Sequence, residues 1–208
     1  RQALGIGTSG QVISGFSSST IPSIFVSPKI FSDTGNYAFI VPPGISNICI
    51  EVWGGGGNGS NGRWDGQRGY QGAGGGGGGY GYQCFNVTPG TRYNVKVGGI
   101  ADSSFVGNLI FATGGTNAVT PDINNGQSGM VVSIPGAGGY SNATYNITGL
   151  PGDASQYPAG KGGNGANGGS GGSGGFNSDV NGSGGAIPGG GGGGGCGNCS
   201  FTYFGSRG

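Results

Sequence analysis

The chain has 208 residues, of which 58 are Gly, and eight basic residues against seven acidic ones give it a net charge of +1. Average Gly usage is about 7%, and each Gly inside a helix costs about 1 kcal/mol relative to Ala, which excludes a helical fold. The sparse, balanced charge excludes a basic face for nucleic acid. Disordered chains have few aromatic residues, whereas this one has 10 Phe, 9 Tyr and 2 Trp. We therefore expect a folded all-β protein with essentially no helix.

The N-terminal residues 1–36 are rich in Ser and Ile and contain the strand candidate IFVSPKIF at 24–31. Pro22 and Pro28 interrupt this region, and Pro suits edge strands because it cannot donate to a ladder. An unpaired edge can add a strand to another chain. We predict an arm or connector here, with a strand that pairs between subunits.

Two units of strand, Pro-Gly turn and strand dominate a predicted antiparallel β module over 37–134. The first is YAFIVPPGISNICIEVW at 37–53, and the second is YGYQCFNVTPGTRYNVKV at 80–97. Each unit predicts a hairpin of two strands joined by a tight connection, and the two hairpins together predict a small antiparallel sandwich or sheet with Gly-rich loops. Shorter strands are predicted within 104–114 and 129–134.

Four Cys residues allow three pairings, and an even number is typical of an oxidising compartment. Cys49 and Cys84 both fall in the middle of predicted strands, so we favour Cys49–Cys84 together with Cys196–Cys199. The CGNC motif at 196–199 lacks the βαβ setting of a redox-active C-x-x-C. A zinc site would need a second close pair of thiolates. We therefore predict structural disulfides, with no metal and no cofactor.

The loop NGSNGRWDGQRGYQG at 58–72 lies between two Gly runs and is the strongest candidate for a recognition surface. Its candidate residues are Trp64, Asp65, Arg68 and Tyr70. Functional residues often lie on loops held by a rigid scaffold, and exposed aromatic rings beside polar groups suit sugar or protein contacts. The alternative is that Trp64 packs over the sheet edge. The region 140–145 is a second candidate, or else a glycosylated surface loop.

Six N-x-[ST] triplets occur in the chain, and each is a potential N-glycosylation site. They lie at Asn58, Asn86, Asn142, Asn146, Asn181 and Asn198. A chain rich in Gly, Ser and Asn also generates such triplets by composition alone. The triplets are therefore candidates for surface positions of a secreted protein.

The region 135–208 is dominated by Gly, and its segment KGGNGANGGSGGSGG at 161–175 has a strict period of three. Two of every three positions are Gly or Ala, and the third lane holds Lys161, Asn164, Asn167, Ser170 and Ser173. A left-handed extended helix with three residues per turn gives each lane its own face. The two small lanes let neighbouring backbones approach and pair. We predict a polyglycine II-like bundle that returns to the sheet; a flexible linker is the alternative.

The side chains needed for catalysis are scarce. The chain has no His, and its seven carboxylates are separated by Gly-rich stretches, which removes the commonest general base and gives no evident acid–base pair. No apolar run approaches the ~20 residues that span a bilayer. We predict that the protein is not an enzyme, does not insert into a membrane and does not bind nucleic acid.

Three stretches, YAFIVPPGISNICIEVWGGGG, GGGGGGYG and VTPGTRYNVKVGG, resemble the glycine-rich domains at the distal ends of phage tail fibres and related adhesins. The segment LGIGTSGQVIS at 4–14 resembles a connector in tail-fibre and similar surface proteins. This resemblance implies an extracellular, non-catalytic part that assembles or attaches. The glycosylation triplets and paired Cys residues depart from a phage protein and favour a secreted or cell-surface fibre.

Composition, motifs and resemblance together predict a structural subunit of an extracellular fibre or filament at a cell or virion surface. Its predicted partner is itself, through β-strand addition and glycine-rich packing. The alternative is a fibre-tip adhesin that binds a surface carbohydrate or a protein receptor through 58–72.

Overall fold

A computed structural model describes residues 28–64, 69–120, 133–154, 159–175 and 182–194. These residues form nine β-strands and no helix, so the predicted all-β class is confirmed. The strands are β1 Gly35–Ile40, β2 Asn47–Trp53, β3 Arg63–Trp64, β4 Gly69–Tyr70, β5 Tyr80–Asn86, β6 Arg92–Val97, β7 Ser104–Val106, β8 Ile110–Ala112 and β9 Tyr145–Ile147.

Two antiparallel sheets pack face to face as a small sandwich. One sheet has the strand order β1-β6-β7-β8 and the other β2-β5-β9, and β2 and β5 contact β8 across the interface. The side chains of β2 alternate between the core and the outer face, as expected for a half-buried strand. The buried cluster between the sheets consists of Val52, Ile110, Ala112 and Ala143, packed against Ile50, Phe85, Val106 and Leu109. This core is small for the length of the chain.

The predicted pairing inside each Pro-Gly unit is wrong. β1 pairs with β6, and β2 pairs with β5, so both Pro-Gly connections carry the chain from one sheet to the other. The two connections lie side by side, because Val41 N–H donates to Thr91 C=O and Gly90 N–H donates to Val41 C=O. Val41 is fully buried at this corner. A hairpin turn would leave Val41 exposed. Its burial at the corner between the two sheets explains why the strands of each unit do not pair with one another.

The remaining predicted strands have mixed outcomes. The segment 104–114 forms the β7–β8 hairpin, turned at Gly107 with φ of 51°. Residues 28–31 of the predicted arm belong to no strand, and residues 24–27 lie outside the described part of the chain. Of 129–134, only Ser133 and Ile134 are described, and Ile134 forms an isolated bridge with Val119.

Beside the sandwich, nine extended glycine-rich segments form a second body, here called the glycine bundle. The segments are 54–60, 72–79, 113–118, 135–140, 149–153, 159–166, 169–175, 182–186 and 190–194. None is part of a β-strand, yet each is hydrogen-bonded laterally to others. Segments from both sides of residue 135 contribute, so the bundle is wider than the Gly-dominated tail from which it was predicted.

The segment 72–79 lies at the centre of the bundle and is hydrogen-bonded to six neighbours at N···O distances of 2.7–3.0 Å. The N–H groups of residues 74–79 donate in turn to the carbonyls of Asp153, Gly192, Thr116, Leu150, Gly189 and Thr113. The carbonyls of residues 72–79 accept in turn from Gly160, Ser60, Gly136, Gly163, Gly57, Gly139, Ala166 and Gly54. Each neighbour is met at every third residue, which is the period of a polyglycine II helix.

The six neighbours also bond to one another and close a ring around the central segment. For example, Gly115 N–H donates to Gly55 C=O, Gly152 N–H to Gly136 C=O, and Gly192 N–H to Gly57 C=O. The segments 169–175 and 182–186 add a further layer on one side. Buried backbone groups require partners, and this hexagonal arrangement supplies them without any sheet ladder.

The lanes predicted for 161–175 are confirmed in part, because a turn at 166–168 divides the stretch into two segments and exposes Gly168 of the first Gly lane. All five residues of the polar lane are exposed, whereas Gly163, Ala166, Gly169, Gly172 and Gly175 are buried. The N–H groups of Gly163 and Ala166 donate to carbonyls of the central segment. The prediction of a polyglycine II-like bundle is therefore correct, although the segment that identified it lies at the periphery and not at the centre.

Glycine is required in the bundle because neighbouring backbones leave no space for a side chain. A Cβ atom on Gly77 would overlap the carbonyl of Asn164, and one on Gly75 would overlap the carbonyl of Gly57. Alanine is accepted at a few buried positions, including Ala73, Ala159 and Ala166. The spacing between segments is thus set by backbone contact alone.

Candidate recognition surface at the far end of the glycine bundle

The bundle segments alternate in direction, so the connections between them lie at two opposite ends. β2 runs directly into 54–60, and 72–79 runs directly into β5, which places the connection 61–71 at the end remote from the sandwich. We call this the far end. Three further connections, 119–134, 154–158 and 176–181, begin and end at the far end, because the described residues that flank each of them lie at that end.

The opposite end of the bundle, on the side of the sandwich, is closed by two tight turns. One turn contains Asn167, whose carbonyl accepts a hydrogen bond of 3.2 Å from the indole N–H of Trp53. The other contains Gly189, whose carbonyl accepts from Gly78 N–H. Trp53 in turn packs on Tyr80, with ring centroids 5.0 Å apart. The aromatic end of β2 thus fixes the bundle to the sheet, and the described residues that flank the connections 61–71, 119–134, 154–158 and 176–181 all lie at the far end.

The base of the connection 61–71 is held by three hydroxyl groups. The buried Ser60 Oγ accepts from Ala73 N–H at 2.9 Å, and Ser133 Oγ donates to Gln71 C=O at 2.9 Å. Thr120 Oγ1 donates to Asn61 C=O at 3.2 Å. The last two bonds come from the neighbouring connection 119–134. The two connections are therefore joined at their bases.

Within 61–71, β3 and β4 form a two-residue antiparallel ladder that pairs Arg63 with Tyr70 and Trp64 with Gly69. The ladder brings together the backbone positions of Trp64 and Tyr70, both predicted recognition residues. Asp65 and Arg68 lie outside the described residues. The supporting hydroxyls could not be predicted from local sequence, because Ser133 and Thr120 are 62 and 59 residues from their partners.

The second predicted recognition region, 140–145, lies at the sandwich end. Tyr140 is 56% exposed and meets Phe111 edge-on at 6.1 Å. Tyr145 is 57% exposed on β9 and contacts Tyr80 at 6.2 Å. The two candidate regions are therefore not parts of one surface.

The predicted disulfide Cys49–Cys84 is confirmed and joins directly opposite residues of β2 and β5. It fits an oxidising environment. The predicted pair Cys196–Cys199 lies outside the described residues. Four glycosylation candidates, Asn58, Asn86, Asn142 and Asn146, are exposed. Asn181 and Asn198 lie outside the described part of the chain.

The titratable groups on the sandwich are dispersed. Burial raises the pKa of Glu51. Burial is also the main cause that raises the pKa of Tyr80, and the nearby Glu51 carboxylate raises it further. A hydrogen bond from Lys96 is the main cause that lowers the pKa of Asp102, and the two side chains also form an ion pair at 2.8 Å. Among the described residues, no three His, Cys, Asp or Glu side chains are grouped so as to hold a metal ion.

No protein-family model, curated protein or solved structure matches this chain. Over the residues that the structure describes, no helix has the length and apolar character of a membrane span.

Proposed function

We propose that this chain is a non-catalytic tip module of an extracellular fibre, in which the glycine bundle is a stalk and its far end binds a surface carbohydrate or protein. The observation that carries this proposal is the segregation of the chain connections. Tight turns and the sandwich occupy one end of the bundle, and the four longer connections start and finish at the other. Loops on a rigid scaffold are the usual place for binding residues.

The bundle suits such a stalk because its backbone hydrogen bonds are satisfied internally. The central segment has a partner for each N–H and C=O of residues 74–79. The stalk therefore needs little side-chain chemistry, and the large side chains in the sequence of 61–71, Trp64 and Arg68 among them, are the ones proposed to make the contacts. A glycine scaffold holds loops in position, and it has no large side chains of its own that would bind other molecules non-specifically.

The test is binding of the full chain to a glycan array and to intact cells, compared with the double variant Trp64→Ala/Arg68→Ala. Tyr145→Ala is the matched control, because it removes an exposed aromatic ring at the sandwich end. We expect the double variant to lose binding and the control to keep it. Equal binding by wild type, double variant and control would remove 61–71 from the recognition surface.

A self-assembling fibre subunit is the second candidate, favoured by the free edge of the β1-β6-β7-β8 sheet. Among the described residues, β1 has β6 as its sole neighbour, and it is preceded by the exposed Ile30. A free edge can accept a strand from another copy. Deleting residues 1–34 leaves β1 intact and should convert assemblies to monomers in analytical ultracentrifugation. Fibres of unchanged length under electron microscopy would rule out assembly by this arm.

The proposed extracellular location rests on the disulfide together with the exposed glycosylation candidates. Intact mass under reducing and non-reducing conditions, on protein from a secreting eukaryotic host, measures both features at once. We expect a mass shift from glycans that Asn58→Gln or Asn142→Gln reduces. Protein from that host with no added mass at any triplet would contradict the glycosylated form.

A further inference from the structure

A groove lies on the outer face of the β1-β6-β7-β8 sheet, away from the glycine bundle's far end. Successive residues of a strand point to opposite faces, and three cross-strand pairs share this outer face: Asn36 with Lys96, Ala38 with Asn94, and Ile40 with Arg92. The groove is partly open to solvent and has a volume of about 480 Å³. It is lined by Asn36, Tyr37, Ala38, Arg92, Asn94, Val95 and Phe105.

The groove exists because a small side chain stands between larger ones. Ala38 lies between Asn36 and Ile40 on β1, and its partner across the ladder is Asn94. The Ala38 methyl group leaves a depression that Asn36, Asn94 and Arg92 border. Phe105, which is opposite Lys96 on β7, forms the apolar wall on the other side. Pockets that take small ligands typically measure about 300–1,000 Å³, and this groove is within that range.

The polar groups of the groove have unused hydrogen-bonding capacity. Over the described part of the chain, the side chains of Asn36, Asn94 and Arg92 have no hydrogen-bond or ion-pair partner. The neighbouring cation differs, because Lys96 Nζ lies 2.8 Å from an Asp102 carboxylate oxygen. Arg92 is therefore the one uncompensated charge that lines the groove, and its sign favours an anionic ligand.

We propose that this groove binds a carboxylate-bearing sugar, such as a uronic acid. The planar guanidinium of Arg92 matches a carboxylate in a bidentate pair. The two Asn amides offer both donors and acceptors, which suits sugar hydroxyls. The Phe105 ring supplies a surface for the apolar face of the sugar ring. This site is separate from the far-end surface and does not depend on the function proposed for it.

The test uses the full chain with glucuronic and galacturonic acid as probes and with glucose and galactose as neutral counterparts. Ligand-observed NMR and calorimetry measure the affinities. Charge-assisted hydrogen bonds are about twice as strong as neutral ones, so we expect at least about tenfold weaker binding of the neutral sugars. Arg92→Gln should abolish that preference. Arg92→Lys should retain part of it, because the Lys ammonium keeps the charge but cannot form the bidentate pair that a guanidinium makes.

Lys161→Gln is the matched control, since it removes an exposed cation from the bundle. It should leave uronic acid binding unchanged, as should the far-end variant Trp64→Ala/Arg68→Ala. Each variant is first checked for an unaltered thermal unfolding midpoint. The proposal is overturned by equal binding of acidic and neutral sugars, by equal effects of Arg92→Gln and Lys161→Gln, or by a self-association that Arg92→Gln abolishes while no sugar binds.

Discussion

The sandwich and the glycine bundle stabilise neighbouring parts of one chain in opposite ways. The sandwich pairs its backbone in ladders and buries side chains such as Ile110 and Val52 between two sheets. The bundle buries almost no side chain larger than Ala, and its segments are held by hydrogen bonds to neighbours on all sides. In one region the hydrophobic effect and hydrogen bonding act together. In the other, backbone packing and hydrogen bonding act nearly alone.

This difference determines where each region is sensitive to substitution. A hydrophobic core loses stability when a buried group is removed, because a cavity remains. A backbone-packed bundle loses stability when a group is added, because there is no space between the segments. The two regions should therefore respond in opposite directions to a change in side-chain volume, and this contrast can be tested.

The largest expected effect is from Gly77→Ala in the central segment. The added methyl group would overlap the carbonyl of Asn164, which is backbone and cannot rotate away. Separating the segments forfeits several hydrogen bonds at about 1 kcal/mol each in addition to about 1–3 kcal/mol of overpacking. We expect a loss of about 4 kcal/mol or more in the free energy of unfolding, measured by urea denaturation.

Gly184→Ala is the matched control for this substitution. A Cβ atom on Gly184 meets nothing within 4 Å, although the residue belongs to an outer segment of the same bundle. We expect its stability to change by less than about 1 kcal/mol, or to rise, because Ala restricts the unfolded chain more than Gly does. If the two variants were equally stable, the close packing of the central segment would be refuted.

The next largest effect is expected in the sandwich, from Ile110→Ala. Ile110 is 1% exposed at the centre of the buried cluster, and Ile→Ala substitutions in cores cost about 2–5 kcal/mol. Ile110→Val should cost only about 0.5–1.5 kcal/mol. The measurement is again denaturant unfolding. A larger loss for Val than for Ala would show that Ile110 is not stabilised by burial.

The sequence predicted the bundle only where the lanes differ in composition. In 161–175, the polar residues at every third position reveal the period. The central segment 72–79 reads GAGGGGGG, and a run of identical residues carries no phase and no register. Its central position follows from six neighbours that are distant in sequence. Local pattern therefore indicates the type of structure but not its arrangement.

The residues of six of the seven sandwich strands were predicted, but β9 lies in a region predicted as a loop and bundle, and the pairing was wrong. The two Pro-Gly units correctly located β2 and β6, and two mid-strand Cys residues correctly predicted the cross-link between β2 and β5. A Pro-Gly turn, however, occurs both in hairpins and at corners between sheets. The choice depends on burial of Val41 and on bonds between the two turns, which are tertiary. The supports of the far-end connection, Ser60, Thr120 and Ser133, were missed for the same reason.

The disulfide lies within the sandwich but closes a loop that includes part of the bundle, and its removal should have an intermediate effect. Cys49 and Cys84 are 35 residues apart, and the loop between them contains both 54–60 and the central segment. Closing a loop of this length stabilises a fold by about 2–4 kcal/mol. We expect Cys49→Ala/Cys84→Ala to lose about that much by thermal and urea unfolding. Amide hydrogen exchange should also rise in residues 74–79, and protection that stays unchanged there would show that the bundle is stable without the cross-link.

The smallest effect concerns the ion pair of Lys96 and Asp102 at the end of β6. The hydrogen bond from Lys96 comes first among the causes that lower the pKa of Asp102, and Ser103 N–H also donates to this carboxylate at 2.8 Å. A folded-state pKa below the unfolded value means that the ionised form stabilises the fold. That contribution is present above the unfolded value of about 3.9 and is lost as the pH falls through the folded pKa.

Because the Lys96 and Asp102 side chains are 32% and 45% exposed, solvent weakens the interaction, and we expect Asp102→Asn to cost less than about 1 kcal/mol at pH 7. The difference from wild type should shrink as both proteins are taken to pH 2.5. Asp153→Asn removes an exposed bundle carboxylate and controls for net charge. A difference between Asp102→Asn and wild type that stayed constant down to pH 2.5 would mean that the Asp102 side chain acts through packing and not through its charge.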